Sequence, residues 1–412
     1  MKKHLSFINN RLPHFVKHFS IASFLLLAPF PFASNAQVAI KGETIYTMAG
    51  NAIKNGIVLT DKGRITAVGS ASNVAIPSGY KIVSARVVIP GLIDAHSVVG
   101  LAGWLNQSFD QMQVERSAPM QPELRAIDSY NAREPLIKWI RSLGVTTIHT
   151  GHGPAALISG QTMIAKTNGD TVDQATIVQT AMIAATLGQR ASGRGGKSPG
   201  TAAKQASMLR GMLIKAQSYG KKKGFSRNLR LEMMKRVIDR EIPLLITVHR
   251  ARDIMTALRI AKEFNIKIVL DGVSEAQSVI NEIKASGFPV ILHPTMYRAG
   301  GETKSLSMET ASKLKKAGIP FAIQSGYEGY VPKTRVVLFE AGLTLAYGMK
   351  FRDALASITI DAAKILGMDK RIGSIAVGKD ADLALYDGDP FEYATHCTGT
   401  IINGKVVSKT IR

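Results

Sequence analysis

At 412 residues, 45% hydrophobic and 20% charged, the chain has an ordinary globular composition that can bury a substantial core, which excludes a disordered or fibrous protein. Its single cysteine, Cys397, excludes an internal disulfide framework. The formal net charge of +22 sets a strong positive field, but the basic runs carry no interleaved aromatics, which argues against nucleic acid as a partner.

The first 36 residues read as a signal peptide. Lys2, Lys3, Arg11 and Lys17 supply positive charge ahead of the apolar run 21–32, IASFLLLAPFPF. That run is too short and too broken by proline to span a bilayer comfortably. Ser34 and Ala36 put small residues where a signal peptidase reads, so cleavage after Ala36 and export, to the periplasm or beyond, are expected. No later stretch is long and apolar enough for a membrane helix.

Residues 37–86 are short strands and turns. Residues 39–47 alternate and carry β-formers, and 56–60 and 64–69 flank Asp61-Lys62-Gly63 as a hairpin. This small β unit cannot be a barrel by itself.

Residues 87–103, VVIPGLIDAHSVVGLAG, are the stretch around which the rest of the chain is organised. Val87, Val88 and Ile89 form an uncharged β-branched run suited to a buried strand. Pro90-Gly91 is a turn, and 92–96 reads as a second short strand ending in polar groups. The run P-G-L-I-D-A-H resembles the start of the catalytic barrel of the amidohydrolase superfamily. In that family the first barrel strand ends in H-x-H, and both imidazoles bind a catalytic metal. Here the pattern is His96-Ser97-Val98: the first histidine is present, and valine, with no lone pair for a metal, stands at the second.

From 87 to 367 strands and helices alternate. Helices are expected at 132–143, 228–240, 251–264, 275–286 and 308–317, and strands at 145–149, 242–249, 267–271, 289–293 and 320–324. Repeated βα units predict a parallel sheet, closed into a (β/α)8 TIM-type barrel. Residues 191–226, rich in Gly, Lys and Ser with a helical piece at 202–219, read as a basic insertion over one barrel mouth. In the tail, 368–412, the segment 378–390 (GKDADLALYDGDP) resembles the superfamily's C-terminal signature. The resemblance implies a small flanking β-sandwich built from N- and C-terminal strands, with Asp380 and Asp382 structural rather than catalytic. Residues 401–407 close it with an Asn-Gly hairpin.

In such a barrel, chemistry sits at the C-terminal ends of the strands. The strand-end polar groups are His96, His149, His249, Asp271, His293 and the pair Gln324-Ser325. The segment 247–254 around His249 is similar to the one in which the superfamily's strand-end histidine binds metal ahead of a helix. The resemblance implies one divalent metal, zinc or a similar ion, at His96 and His249, with Asp271 or His149 as a third ligand. The family's next ligand falls on Gly272, or on Asp271 with a slip of one residue. Its catalytic aspartate falls at Gly326, with Ser325 and Glu328 beside it. Lys166 is a candidate bridging carboxylated lysine. His152, in a Gly-rich strand-end loop, His293 and Ser325 are candidate ligand-binding groups, and no catalytic residue is assigned.

The resemblance implies two alternative functions. One is an exported hydrolase of C–N bonds in amides, cyclic amides or dipeptides, working by metal-activated water, of the imidazolonepropionase-like or dipeptidase-like branch. The other is a catalytically inactive amidohydrolase-fold protein, without metal, that binds a ligand or serves as a scaffold. The positive field suits an anionic small-molecule substrate, and the basic insertion suits electrostatic contact with an anionic envelope surface.

Overall fold

The structure is a computed structural model that describes residues 37–105, 107–193, 198–221, 224–327 and 335–412. The expected signal peptide and Glu328 lie outside them. Among the described residues no helix is long and apolar enough to cross a membrane.

The N-terminal unit supplies β1 (Val38–Ile45), β2 (Ile53–Asp61), β3 (Arg64–Ser70) and β4 (Lys81–Pro90). Pro90-Gly91 then lets the chain leave this unit and start β5 (Leu92–Ser97); a side chain on Gly91 would collide with Thr146. Next come β6 (Val145–Thr150), β7 (Ile158–Gln161), β8 (Met163–Lys166), β9 (Thr176–Val178) and β10 (Ile183–Thr186). β11 (Leu244–Val248), β12 (Ile268–Gly272), β13 (Val290–Leu292) and β14 (Phe321–Ile323) are buried along their whole length, as strands covered on both faces must be. The tail adds β15 (Leu383–Tyr386), β16 (Cys397–Ile402) and β17 (Lys405–Ser408).

N- and C-terminal strands share one seven-stranded sheet, in the order β17-β16-β15-β4-β1-β2-β3. Its alternation buries Val38, Ile40, Val58 and Val88 on one face, and Ala39, Ile57 and Leu59 on the other. Both tight turns have left-handed central residues, Lys62-Gly63 and Asn403-Gly404, the conformation a two-residue hairpin turn demands. The sheet's distant turns approach each other, since the Ala381 N–H donates to the Gly63 carbonyl at 2.9 Å.

The remaining strands form two sheets rather than one uninterrupted parallel ring. One has the order β14-β13-β12-β11-β10-β7, parallel from β10 to β14 with β7 antiparallel. The other has the order β5-β6-β8-β9, with β5 and β6 parallel and β8 and β9 antiparallel. The expected strand–helix alternation fails between 150 and 186 because short apolar runs there pair locally as antiparallel strands. The two sheets meet at an isolated parallel bridge between Ser97 and Gly326, and at the Thr162 N–H, which donates to the Met182 carbonyl at 2.9 Å.

Helices cover the outside of the strands. The helix Ala251–Phe264 buries Ile254, Ala257, Leu258 and Ala261, a stripe at helical spacing, and stops at Asn265 in the left-handed region. The segment expected as a basic insertion carries the helical piece expected within it. Its helix, Ala202–Ser218, places Ala206, Leu209, Leu213 and Ala216 in the main core. The Gln205 side chain bonds both the N–H (2.9 Å) and the carbonyl (2.8 Å) of Gly188, which pins the helix to the rest of the chain. The remainder of the insertion includes 194–197 and 222–223, outside the described residues.

Candidate functional site

Strand periodicity builds the site. On β11 to β14, Leu245, Val269, Ile291 and Ala322 share one apolar cluster with Ile93 and Ile164. Two residues further along each strand, on the same face, stand Thr247, Asp271, His293 and Gln324, and two beyond Thr247 stands His249. An apolar layer is thus capped by a polar one at the C-terminal strand ends. His96 joins it from β5, whose register against β6 is irregular between Asp94 and Ser97. All six polar residues line one cavity of about 30 Å³, together with Arg190, Tyr297 and Tyr327.

The polar layer is wired through Asp271. One of its oxygens, Oδ1, lies 3.1 Å from His96 Nδ1 and accepts from Gln324 Nε2 at 2.6 Å. The other, Oδ2, accepts from the Thr247 hydroxyl at 2.6 Å. The Nδ1 of His249 is 2.8 Å from the Ser274 hydroxyl, and that of His293 is 2.8 Å from the Pro294 carbonyl. Among the described residues the Nε2 atoms of His96 and His293 are buried without a hydrogen-bond partner.

Burial pushes the His96 imidazole down, but the Asp271 charge, the Asp271 hydrogen bond and Asp94 outweigh it and hold the ring above the ordinary histidine value. Burial would raise Asp271, yet His96 and the hydrogen bonds from Thr247 and Gln324 keep it below the usual carboxylate value. The two shifts are mutual: each group favours the charged form of the other. Burial lowers His249 to about 3, with Arg190 adding to the effect, and lowers His293 to about 4.

Of the residues singled out from the sequence, His96, His249, Asp271 and His293 come together here. His149 does not, because both its ring nitrogens are taken, by the Ala95 carbonyl at 2.7 Å and the Thr162 hydroxyl at 2.6 Å. The Ser325 N–H donates to Asp94 Oδ1 at 3.0 Å, and neither Ser325 nor His152 lines the cavity. Lys166 turns instead to the flanking sheet, where it pairs with Asp380 and Asp382.

Tyr297 and Tyr327 escaped the sequence, and so did Arg190 and Asp94. Arg190 opens the basic stretch 190–223, a composition usual for a solvated loop or helix face, yet it lines the cavity, bonds the Tyr297 hydroxyl and pairs with Glu302 at 3.6 Å. Nothing local marks it. Asp94 sits two residues before His96, and burial raises its carboxyl to about 6. Its place inside the I-D-A-H run was the available signal.

A model of the amidohydrolase family matches residues 117–408. The chain belongs to the amidohydrolase family. Among solved structures, an amidohydrolase from Thermotoga maritima MSB8 is 29% identical, with a TM-score of 0.85, over 90% of this chain and all of that one (100%). A zinc-bound adenosine deaminase from Xanthomonas campestris shares the fold at 16% identity, with a TM-score of 0.55, covering 90% of this chain and 92% of that one. An imidazolonepropionase of Shewanella sp. strain MR-4 is 29% identical over 136 residues, 31% of this chain. That match spans about a third, 32%, of the relative's own length. The fold shared with these amidohydrolases is a TIM-barrel-like α/β fold.

Amidohydrolases generally bind a metal, and a catalytic zinc takes three protein ligands and an open position. The residues at this site do not fit that centre. Among the described residues no three His, Cys, Asp or Glu side chains converge on a metal position. Val98 is buried and brings no donor. At Gly272 an added Cβ would lie 2.7 Å from His249 Cε1, so the imidazole fills the space a ligand there would need. At Gly326 it would lie 2.9 Å from Pro294 Cγ. Asp271 has its oxygens bound by three protein groups, and Lys166 is committed elsewhere.

Proposed function

We propose that this amidohydrolase is an exported hydrolase of C–N bonds in small molecules (amides, cyclic amides or dipeptides) and acts at the strand-end cavity. One observation carries this: two buried imidazole nitrogens, His96 Nε2 and His293 Nε2, lack partners among the described residues and belong to residues lining a single cavity. Leaving a buried polar atom unpaired costs about 1–3 kcal/mol, and native folds keep few such atoms. Family membership and the imidazolonepropionase relative support the bond type. The basic leader and its apolar run support export. Arg190 at the cavity supports an anionic substrate, and the net charge supports contact with an anionic envelope surface. In a metal-dependent form, with zinc at His96 and His249, the hydrolase would need a third donor that the described residues do not supply.

The proposal takes the two inner sheets as halves of one (β/α)8 ring, supported by the Ser97–Gly326 bridge. It takes the seven-stranded sheet as the flanking sandwich, supported by the Ala381–Gly63 hydrogen bond.

A second reading, a non-catalytic binding or scaffold protein, is favoured by Val98, Gly272 and Gly326 at the family's ligand positions. Incubation of the mature chain with N-acylamino acids, cyclic imides and Xaa-Pro dipeptides separates the two. The hydrolase turns over at least one of them, and His96→Ala lowers that rate by about 100-fold. Saturable binding without turnover of any of them selects the binding protein.

A further inference from the structure

The shortage of metal ligands leaves open how water would be activated, and the hydrogen-bond pattern bears on this. His293 Nδ1 faces a carbonyl oxygen, that of Pro294 at 2.8 Å, and a carbonyl only accepts. The proton is therefore on Nδ1, and Nε2 presents a lone pair. His96 Nδ1 faces a carboxylate oxygen of Asp271 at 3.1 Å, which fixes a proton there too. Its Nε2 is then the nitrogen whose proton can come and go. Asp271 is itself held by Thr247 and Gln324, and the Gln324 amide is tied back to the Ile291 carbonyl at 3.3 Å. A carboxylate with three protein donors keeps its charge and aims the imidazole without a metal. His96 and His293 are 4% and 2% exposed, and the cavity they line, about 30 Å³, admits a water-sized group.

We propose that His96 and Asp271 form a metal-independent proton-transfer dyad, with His293 Nε2 orienting the attacking water. This rests on the hydrolase reading and names its chemistry. With the His96 ring neutral and its proton on Nδ1, one water hydrogen bonds to the His293 lone pair, and the other passes to His96 Nε2 as the water oxygen bonds to the substrate carbonyl carbon. The carbonyl π pair moves onto oxygen. When that pair returns, the C–N bond breaks and His96 gives its proton to the leaving nitrogen. The products are a carboxylic acid and an amine, with water the only co-reactant. His96 and His293 are the catalytic residues, and Asp271 is a positioning residue.

The test uses the full mature chain, stripped with EDTA and its metal content measured by mass spectrometry, on whichever amide, imide or dipeptide it turns over. Turnover is expected to survive with substoichiometric metal. It should fall about 100-fold in His96→Gln and Asp271→Asn, and His96→Gly should regain activity with added imidazole. The imidazole rescue and the melting temperatures separate lost proton transfer from lost folding. Nitrogen NMR of histidine-labelled protein should find the His293 Nε2 unprotonated, whatever the activity. A rate that disappears with EDTA and returns with zinc overturns the dyad and leaves the hydrolase standing. A protonated His293 Nε2 at neutral pH also overturns it. Failure of the wild type to turn over any of the compounds removes the hydrolase and the dyad together.

Discussion

Two buried charged clusters in this amidohydrolase make an instructive pair. At the junction with the flanking sheet, Lys166 meets Asp380 at 2.9 Å and also Asp382. Asp380 further pairs with Arg64 at 2.6 Å and Arg371 at 2.9 Å, and Asp382 accepts from the Asn403 N–H at 2.9 Å. At the strand ends, His96, Asp271 and His293 are equally buried, but two ring nitrogens there have no partner among the described residues. Both clusters lie under the same constraint, that a buried charge must be compensated. The first meets it with protein groups and holds two parts of the fold together. The second compensates Asp271 as well, but among the described residues it leaves two polar ring nitrogens unmet beside a cavity.

The largest effect expected from breaking the contrast is on the junction. Lys166→Met leaves Asp382 without its cation, while Asp380 keeps Arg64 and Arg371, and should cost about 3–5 kcal/mol in urea unfolding. The rate per folded molecule should be unchanged. Lost turnover with intact stability would mean that the roles of the two clusters are reversed.

His149 sharpens the contrast, because it is a histidine beside the site with both nitrogens satisfied. Burial lowers it from 6.5 to about 3, so on acidification the unfolded chain takes up the proton first. Its stabilising contribution is complete above 6.5 and drains away as the pH falls toward 3. His149→Asn should therefore be destabilised at neutral pH, and its deficit should shrink by about 1.4 kcal/mol per pH unit below 6.5. Urea titrations of both proteins across that range measure this, and a constant deficit would show that the ring is not held neutral.

The smallest effect is expected at Gly272. Its φ of +86° and the nearby His249 ring make Gly272→Ala strained, by about 1–2 kcal/mol. The His249 ring resonances should move with it. An unshifted ring would mean that His249 does not occupy the space of the missing ligand.

Much of the molecule was legible beforehand. The fully buried strands read as uninterrupted apolar runs, and the helix Ala251–Phe264 read from its stripe, because both patterns are local consequences of burial. The Lys62-Gly63 and Asn403-Gly404 turns read equally well, since few residue pairs tolerate that backbone. The antiparallel strands between 150 and 186 did not, because short apolar runs look alike whether they pair locally or across a barrel. Arg190 did not either, because an arginine in a basic run carries no mark of what folds against it.

The sequence by itself determined the family, the strand-end histidines and the absence of donors at Val98, Gly272 and Gly326, for these are facts of residue type and order. Only the tertiary structure decided that His149 is sealed by its neighbours, that Lys166 serves the junction, and that His96 leans on Asp271 from 175 positions away. Which partner a polar atom finds depends on surfaces that meet only after the chain has collapsed.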